Sequence, residues 1–179
     1  FCILLSNIWL HIRKKFFFHW NNDTETMTIK PKIALYEPDI PQNTAAIIRT
    51  CACLGADLEI IEPCGFLFSD KRFKRVVMDY MDKKLIKFYR SSEDFFKSKE
   101  GQRVILLTTK SAESYATFKF KSNDTLLFGR ESAGVPDSVH NLIKYRLKIP
   151  MMSNKRSLNI ASSVAIILSE NLRQTNFNK

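Results

Sequence analysis

Along this chain, short runs of apolar and β-branched residues alternate with longer stretches whose apolar positions recur at helical spacing. Runs at Ile33–Tyr36, Leu58–Ile61, Leu85–Tyr89, Val104–Thr108, Leu126–Phe128 and Tyr145–Ile149 read as strands. Between them, the stretch from Asn43 to Leu54 places Ala46, Ile47, Thr50, Cys51 and Leu54 on one helical face, and Gly55 stands where a left-handed cap would end it. Asn43 or Thr44 is the expected helix start, with Asn43 as a candidate cap. A short basic helix is expected over Asp70–Met78, a weaker one over Glu93–Ser98, and one over Pro136–Ile143 with proline in its first turn. A final helix is expected from about Leu158 to Arg173. Strands alternating with helices predict an α/β fold with a mostly parallel sheet covered on both faces.

Length and charge narrow this picture. A chain of 179 residues can bury one compact core without disulfide staples, so a single domain over 27–179 is expected. The 28 Lys and Arg outweigh the 18 Asp and Glu by ten, which favours a polyanionic partner such as nucleic acid. The four cysteines match no paired zinc spacing, and no metal is expected. Their use suits a reducing, cytoplasmic compartment. Residues 1–26 read as an extension outside the fold. Their apolar run, Phe1 to Ile12, is shorter than a membrane span and precedes its basic residues, unlike a secretory signal. A membrane-surface anchor built from Trp9, Phe16, Phe17, Phe18 and Trp20 is the alternative, and the disordered extension is preferred.

In parallel sheets, ligands bind beyond the carboxyl ends of the strands, and three segments there carry unusual polar chemistry. The first is Glu37-Pro38-Asp39-Ile40-Pro41-Gln42-Asn43-Thr44 with Arg49 further along, a cation among apolar neighbours that needs a partner if it is buried. In the second, Phe128-Gly129-Arg130-Glu131-Ser132-Ala133-Gly134-Val135-Pro136, two glycines allow close backbone approach on either side of Glu131. It is neither a dinucleotide fingerprint nor a P-loop. The third runs from Ile149 to Ala165 and joins a strand end to an apolar helix through Ser153, Asn154, Ser157 and Asn159. Hydroxyls, amides and the free N–H groups of a first helical turn make a polar cradle there. Each segment alone has a bland reading as a turn or a cap.

Taken in order, these segments resemble the SPOUT class of trefoil-knotted RNA ribose methyltransferases, and most nearly its small bacterial tRNA (cytidine/uridine) 2′-O-methyltransferases of the wobble position. The resemblance also takes in Ile60-Ile61-Glu62-Pro63-Cys64-Gly65-Phe66, Asp70-Lys71-Arg72, Asp79-Tyr80 and Leu107-Thr108-Thr109-Lys110, and it runs from Met27 to about Gln174. It implies a C-terminal deep trefoil knot, S-adenosylmethionine as cofactor, a homodimer, and methylation of the wobble ribose of tRNA, expected in leucine tRNAs. It assigns Leu107, Gly129, Ile149 and Ser157 to the cofactor, Arg49, Ser157 and Asn159 to catalysis, and Asn43, Glu131, Lys71 and Arg72 to the substrate. A guanidinium stays protonated, so Arg49 suits charge stabilisation better than general-base work. Ala45-Ala46 and Ser132-Ala133 depart from the family pattern, which commonly has Gly-Asn and Thr-Arg there. Two alternatives are the same chemistry at another tRNA or ribosomal RNA position, and a non-catalytic basic RNA-binding protein. A dehydrogenase lacks both its glycine fingerprint and its acidic ribose ligand.

Overall fold

The computed structural model describes residues 30–69, 73, 77 and 86–175. All six expected strands form: β1 Lys32–Tyr36, β2 Asp57–Ile61, β3 Ile86–Tyr89, β4 Val104–Leu107, β5 Thr125–Phe128 and β6 Tyr145–Leu147. They make one sheet in the order β3-β2-β1-β5-β4-β6, and every ladder is parallel. Leu35 lies beside Ile60 on one flank and Phe128 on the other, so the central strands are buried by neighbours on both sides.

Alternation along β1 divides the core. Ile33 and Leu35 face a cluster with Ile47, Ile48 and Cys51 of α1, Pro41–Leu54, and Val164, Ile167, Leu168 and Leu172 of α4, Ile160–Thr175. Ala34 and Tyr36 face a smaller cluster built on Phe95 of α2, Ser92–Ser98, and on Val139 of α3, Asp137–Leu142. Period-two side-chain direction on the strands and helices on both faces explain the two cores together.

Helix boundaries move for identifiable reasons. Helix α1 begins at Pro41, whose missing N–H is harmless in a first turn, so Asn43 is not its cap and its side chain is released for other bonds. Its end is as expected: Gly55 at φ 72° donates its N–H to the Cys51 carbonyl. Ser91 caps α2 by accepting from the Asp94 N–H at 3.2 Å. Pro136 stands just before α3 rather than inside it. Helix α4 starts after Leu158, and Asn159 closes its first turn by accepting from the N–H groups of Ala161 at 2.9 Å and Ser162 at 3.4 Å. The basic helix expected over Asp70–Met78 lies largely outside the described residues; Phe73 and Val77 are helical and buried. Residues 1–26 lie outside them as well.

Two polar groups under the sheet are paired. Lys99 and Glu59, 5% and 4% exposed, sit 2.6 Å apart, and the Tyr89 hydroxyl donates to the same carboxylate at 3.3 Å. Asp124, wholly buried at the entry of β5, accepts from the Arg103 guanidinium at 3.1 Å and from the Lys121 N–H at 2.7 Å. The Arg103 guanidinium also lies over the rings of Phe118 and Tyr145, 5.2 and 5.1 Å from their centroids.

Candidate active site

The chain reverses direction across the sheet between β1 and β5, which are neighbours, and the loops leaving these strands and β4 open on the same edge. Beyond β1, Glu37 adopts φ 44° and its carboxylate pairs with Arg130, whose Nε also donates to the Glu37 carbonyl at 3.2 Å. Beyond β5, Arg130 and Gly134 exchange backbone hydrogen bonds of 2.9 and 2.8 Å, closing a tight loop around Glu131. A Cβ at Gly129 would lie 2.6 Å from the Gly134 carbonyl carbon, so only glycine fits this closure.

Glu131 is the hinge of the polar network. One carboxyl oxygen accepts from the Asp39 N–H at 3.1 Å, and the other accepts from the Asn43 amide at 3.1 Å. The Asn43 carbonyl oxygen in turn accepts from the Asn159 amide at 2.9 Å. Three loops, from 39–43, 131 and 159, are thus joined by one run of hydrogen bonds. The Ser132 hydroxyl closes the network by donating to the Asp39 carboxylate. Burial, with Asp39 beside it, raises the Glu131 pKa above the ordinary carboxylate value, while hydrogen bonds with Glu131 and Ser132 lower that of Asp39.

This network edges a cavity of about 470 Å³. Its walls include Leu107, Gly129, Ile149 and Ser157, the four residues assigned to a cofactor, together with Asn43, Glu131 and Asn159. Met151 and Leu158 supply apolar wall, and Thr108 and Thr109 supply hydroxyls. The volume is that of a small-molecule site, and this mix of apolar wall and polar edge suits a nucleoside. Arg49 falls elsewhere. It is exposed on α1 and absent from the cavity wall; six residues beyond Asn43, it sits about 120° round the helix axis from it. Lys71 and Arg72 lie outside the described residues. Sequence reasoning missed His140, a cavity-wall residue whose Nε2 is enclosed with no hydrogen bond among the described residues. It also missed the hydrogen bond from the Asp39 backbone N–H to the Glu131 carboxylate, 92 positions away. No local signal marks either. Among the described residues, no group of three His, Cys, Asp or Glu is placed to hold a metal, and no helix is long and apolar enough to cross a membrane.

The family model described as the SpoU rRNA Methylase family matches residues 30–169, from the start of β1 into α4. The chain belongs to this family. The methylase is 46% identical over 144 residues to the tRNA (cytidine(34)-2′-O)-methyltransferase of Beijerinckia indica, spanning 79% of this chain and 90% of that one. A solved structure concerned with the 2-OH methylation of C/U34 on tRNA superposes with a TM-score of 0.77 at 37% identity, over 81% of this chain and 95% of that one. The AdoMet-bound rRNA methyltransferase of Sinorhizobium meliloti superposes with a TM-score of 0.73 at 26% identity, over 80% of this chain and 56% of that one. The α/β architecture with its parallel sheet is therefore that of the methyltransferase family the sequence resembles.

Proposed function

We propose that the methylase transfers a methyl group from S-adenosylmethionine to the ribose 2′-hydroxyl of the wobble nucleotide, position 34, of tRNA. The observation that carries this reading is the near end-to-end match to a tRNA (cytidine(34)-2′-O)-methyltransferase, 90% of whose length is spanned. The ribosomal RNA reading has weaker support, since only 56% of the rRNA methyltransferase neighbour is covered. Leucine tRNAs as substrates, a homodimer, a cytoplasmic location, and a single domain over 27–179 with 1–26 outside it belong to the same proposal. So does a knot in which the C-terminal segment threads an earlier loop.

The residues present fit this cofactor. Leu107, Ile149, Met151 and Leu158 offer an apolar slot for a nucleobase, and Ser157, Gly129 and neighbouring backbone offer hydrogen bonds. When bound, S-adenosylmethionine supplies an electrophilic methyl on sulfonium, so the protein's task is alignment and charge control. Glu131, Asn43 and Asn159 hold the three loops in register at the cavity edge. Ser157 and Asn159 are the groups on the cavity wall proposed to orient the ribose hydroxyl. Arg49, exposed on the other side of α1, suits a composite site in which it serves the partner protomer's cavity and stabilises developing charge on the ribose oxygen.

Incubation of the purified protein with unmodified tRNA and labelled S-adenosylmethionine, followed by mapping of 2′-O-methylated nucleotides, tests the reading. Label confined to nucleotide 34 is expected; label at other positions, or none, overturns it. Arg49→Ala is expected to lower turnover by about 10²–10³-fold with cofactor binding retained, and normal turnover in this variant would remove Arg49 from the mechanism.

A further inference from the structure

We propose that a second cavity, walled by Lys148 and Lys155 and adjoining the first, holds a backbone phosphate of the RNA next to the methylated ribose. The inference rests on the RNA-substrate reading above. This cavity measures about 290 Å³ and shares Thr109, Ile149 and Met151 with the larger one, so a group held here lies within a nucleotide's reach of the proposed reaction site.

Both walls are built rather than loose. Lys148 is half-buried, and its backbone is fixed on both sides: its N–H donates to the Glu113 carbonyl at 2.8 Å and its carbonyl accepts from the Tyr115 N–H at 3.1 Å. On the other wall, Asn154 takes φ 67° and the Lys155 N–H donates to the Met152 carbonyl at 3.3 Å. This left-handed turn brings Ser153, Asn154 and Lys155 together on the cavity lining. No carboxylate lines the cavity, and the ion pairs among the described residues employ other cations: Lys99, Arg103, Lys110, Arg130 and Arg173. Two lysines on the lining of one concavity, with no carboxylate among its residues and with Thr109, Ser153 and Asn154 beside them, fit a phosphodiester. The adjoining cavity selects the RNA backbone as its source, because a ribose presented for methylation necessarily carries flanking phosphates.

Salt dependence of tRNA binding tests this on the full chain. Each lysine withdrawn from the phosphate should flatten the slope of log K against log salt by about 0.7–0.9, so the double variant Lys148→Gln, Lys155→Gln should flatten it by roughly 1.5 or more. Lys97→Gln, on the exposed side of α2, should leave it unchanged. Lys155→Gln alone removes only an exposed charge and should give half the effect without loss of fold, and Lys148→Arg should keep the wild-type slope. An unaltered slope in the double variant would overturn the proposal while leaving the methylation reading intact, provided the wild type still labels nucleotide 34. Inorganic phosphate that stabilises the wild type against heat through these lysines, with the tRNA slope unmoved, would assign the cavity to a free anion and equally overturn it.

Discussion

The two ends of the sheet treat their carboxylates in opposite ways. At the amino end, Asp124 is wholly buried and answered by a backbone N–H and by a guanidinium that lies beside the rings of Phe118 and Tyr145. At the carboxyl end, Asp39 and Glu131 lie together, with the pKa of Glu131 raised by burial and that of Asp39 lowered by hydrogen bonding. In the first arrangement burial raises the Asp124 pKa and the carboxylate is closed off among structural partners; the second sets polar groups around a cavity. Local compromises of this kind concentrate where a protein does chemistry.

Removing one partner at the amino end should have the largest effect. Arg103→Met strands the buried Asp124 carboxylate and should cost about 3–5 kcal/mol in urea unfolding, with cofactor affinity unchanged wherever the variant stays folded. At the carboxyl end, Asn159→Asp separates two roles. The cap survives because a carboxylate still accepts from Ala161, but the donor to Asn43 is lost, so methyl transfer should fall while the melting temperature holds within a few degrees. Equal loss of stability and activity would show that Asn159 is only a cap.

The smallest effect is one of pH. Glu131, with its folded pKa raised, contributes stability at acid pH that is lost as pH climbs through that folded value. Asp39, with its folded pKa lowered, contributes stability above the ordinary carboxylate value of about 3.9 that is lost as pH falls through its folded value. Unfolding series should therefore show Glu131→Gln gaining on the wild type as pH rises from about 4 towards neutrality, and Asp39→Asn gaining on it as pH falls below about 4. Parallel curves for all three proteins would dissolve the carboxyl pair.

The strands were legible because a parallel strand buried on both faces must be an apolar run, and Leu126-Leu127-Phe128 can hardly be anything else. Arg49 misleads a linear reading. Its sequence neighbours Ile47, Ile48 and Cys51 are buried, but its helical neighbours Gln42, Ala46 and Cys53 are exposed, and a side chain belongs with the latter. Cys53 lies exposed for the same reason, whereas Cys51, on the expected apolar face, is buried. Asn43 looked like a cap because Pro41 hid the true start of α1. Asn159 is both the cap that the bland reading supplied and a member of the polar network. The Lys99–Glu59 pair, 40 positions apart, and the enclosed ring of His140 were illegible, since long-range packing leaves no trace in local pattern.

Titration calorimetry with S-adenosylmethionine bears most directly on the central claim that three separated loops build one cofactor cavity. One equivalent per chain should bind the wild type, and Gly129→Ala, whose added methyl collides with the backbone at Gly134, should abolish that binding while far-ultraviolet circular dichroism stays unchanged. Absence of binding to the wild type, or undiminished binding to Gly129→Ala, would contradict the account.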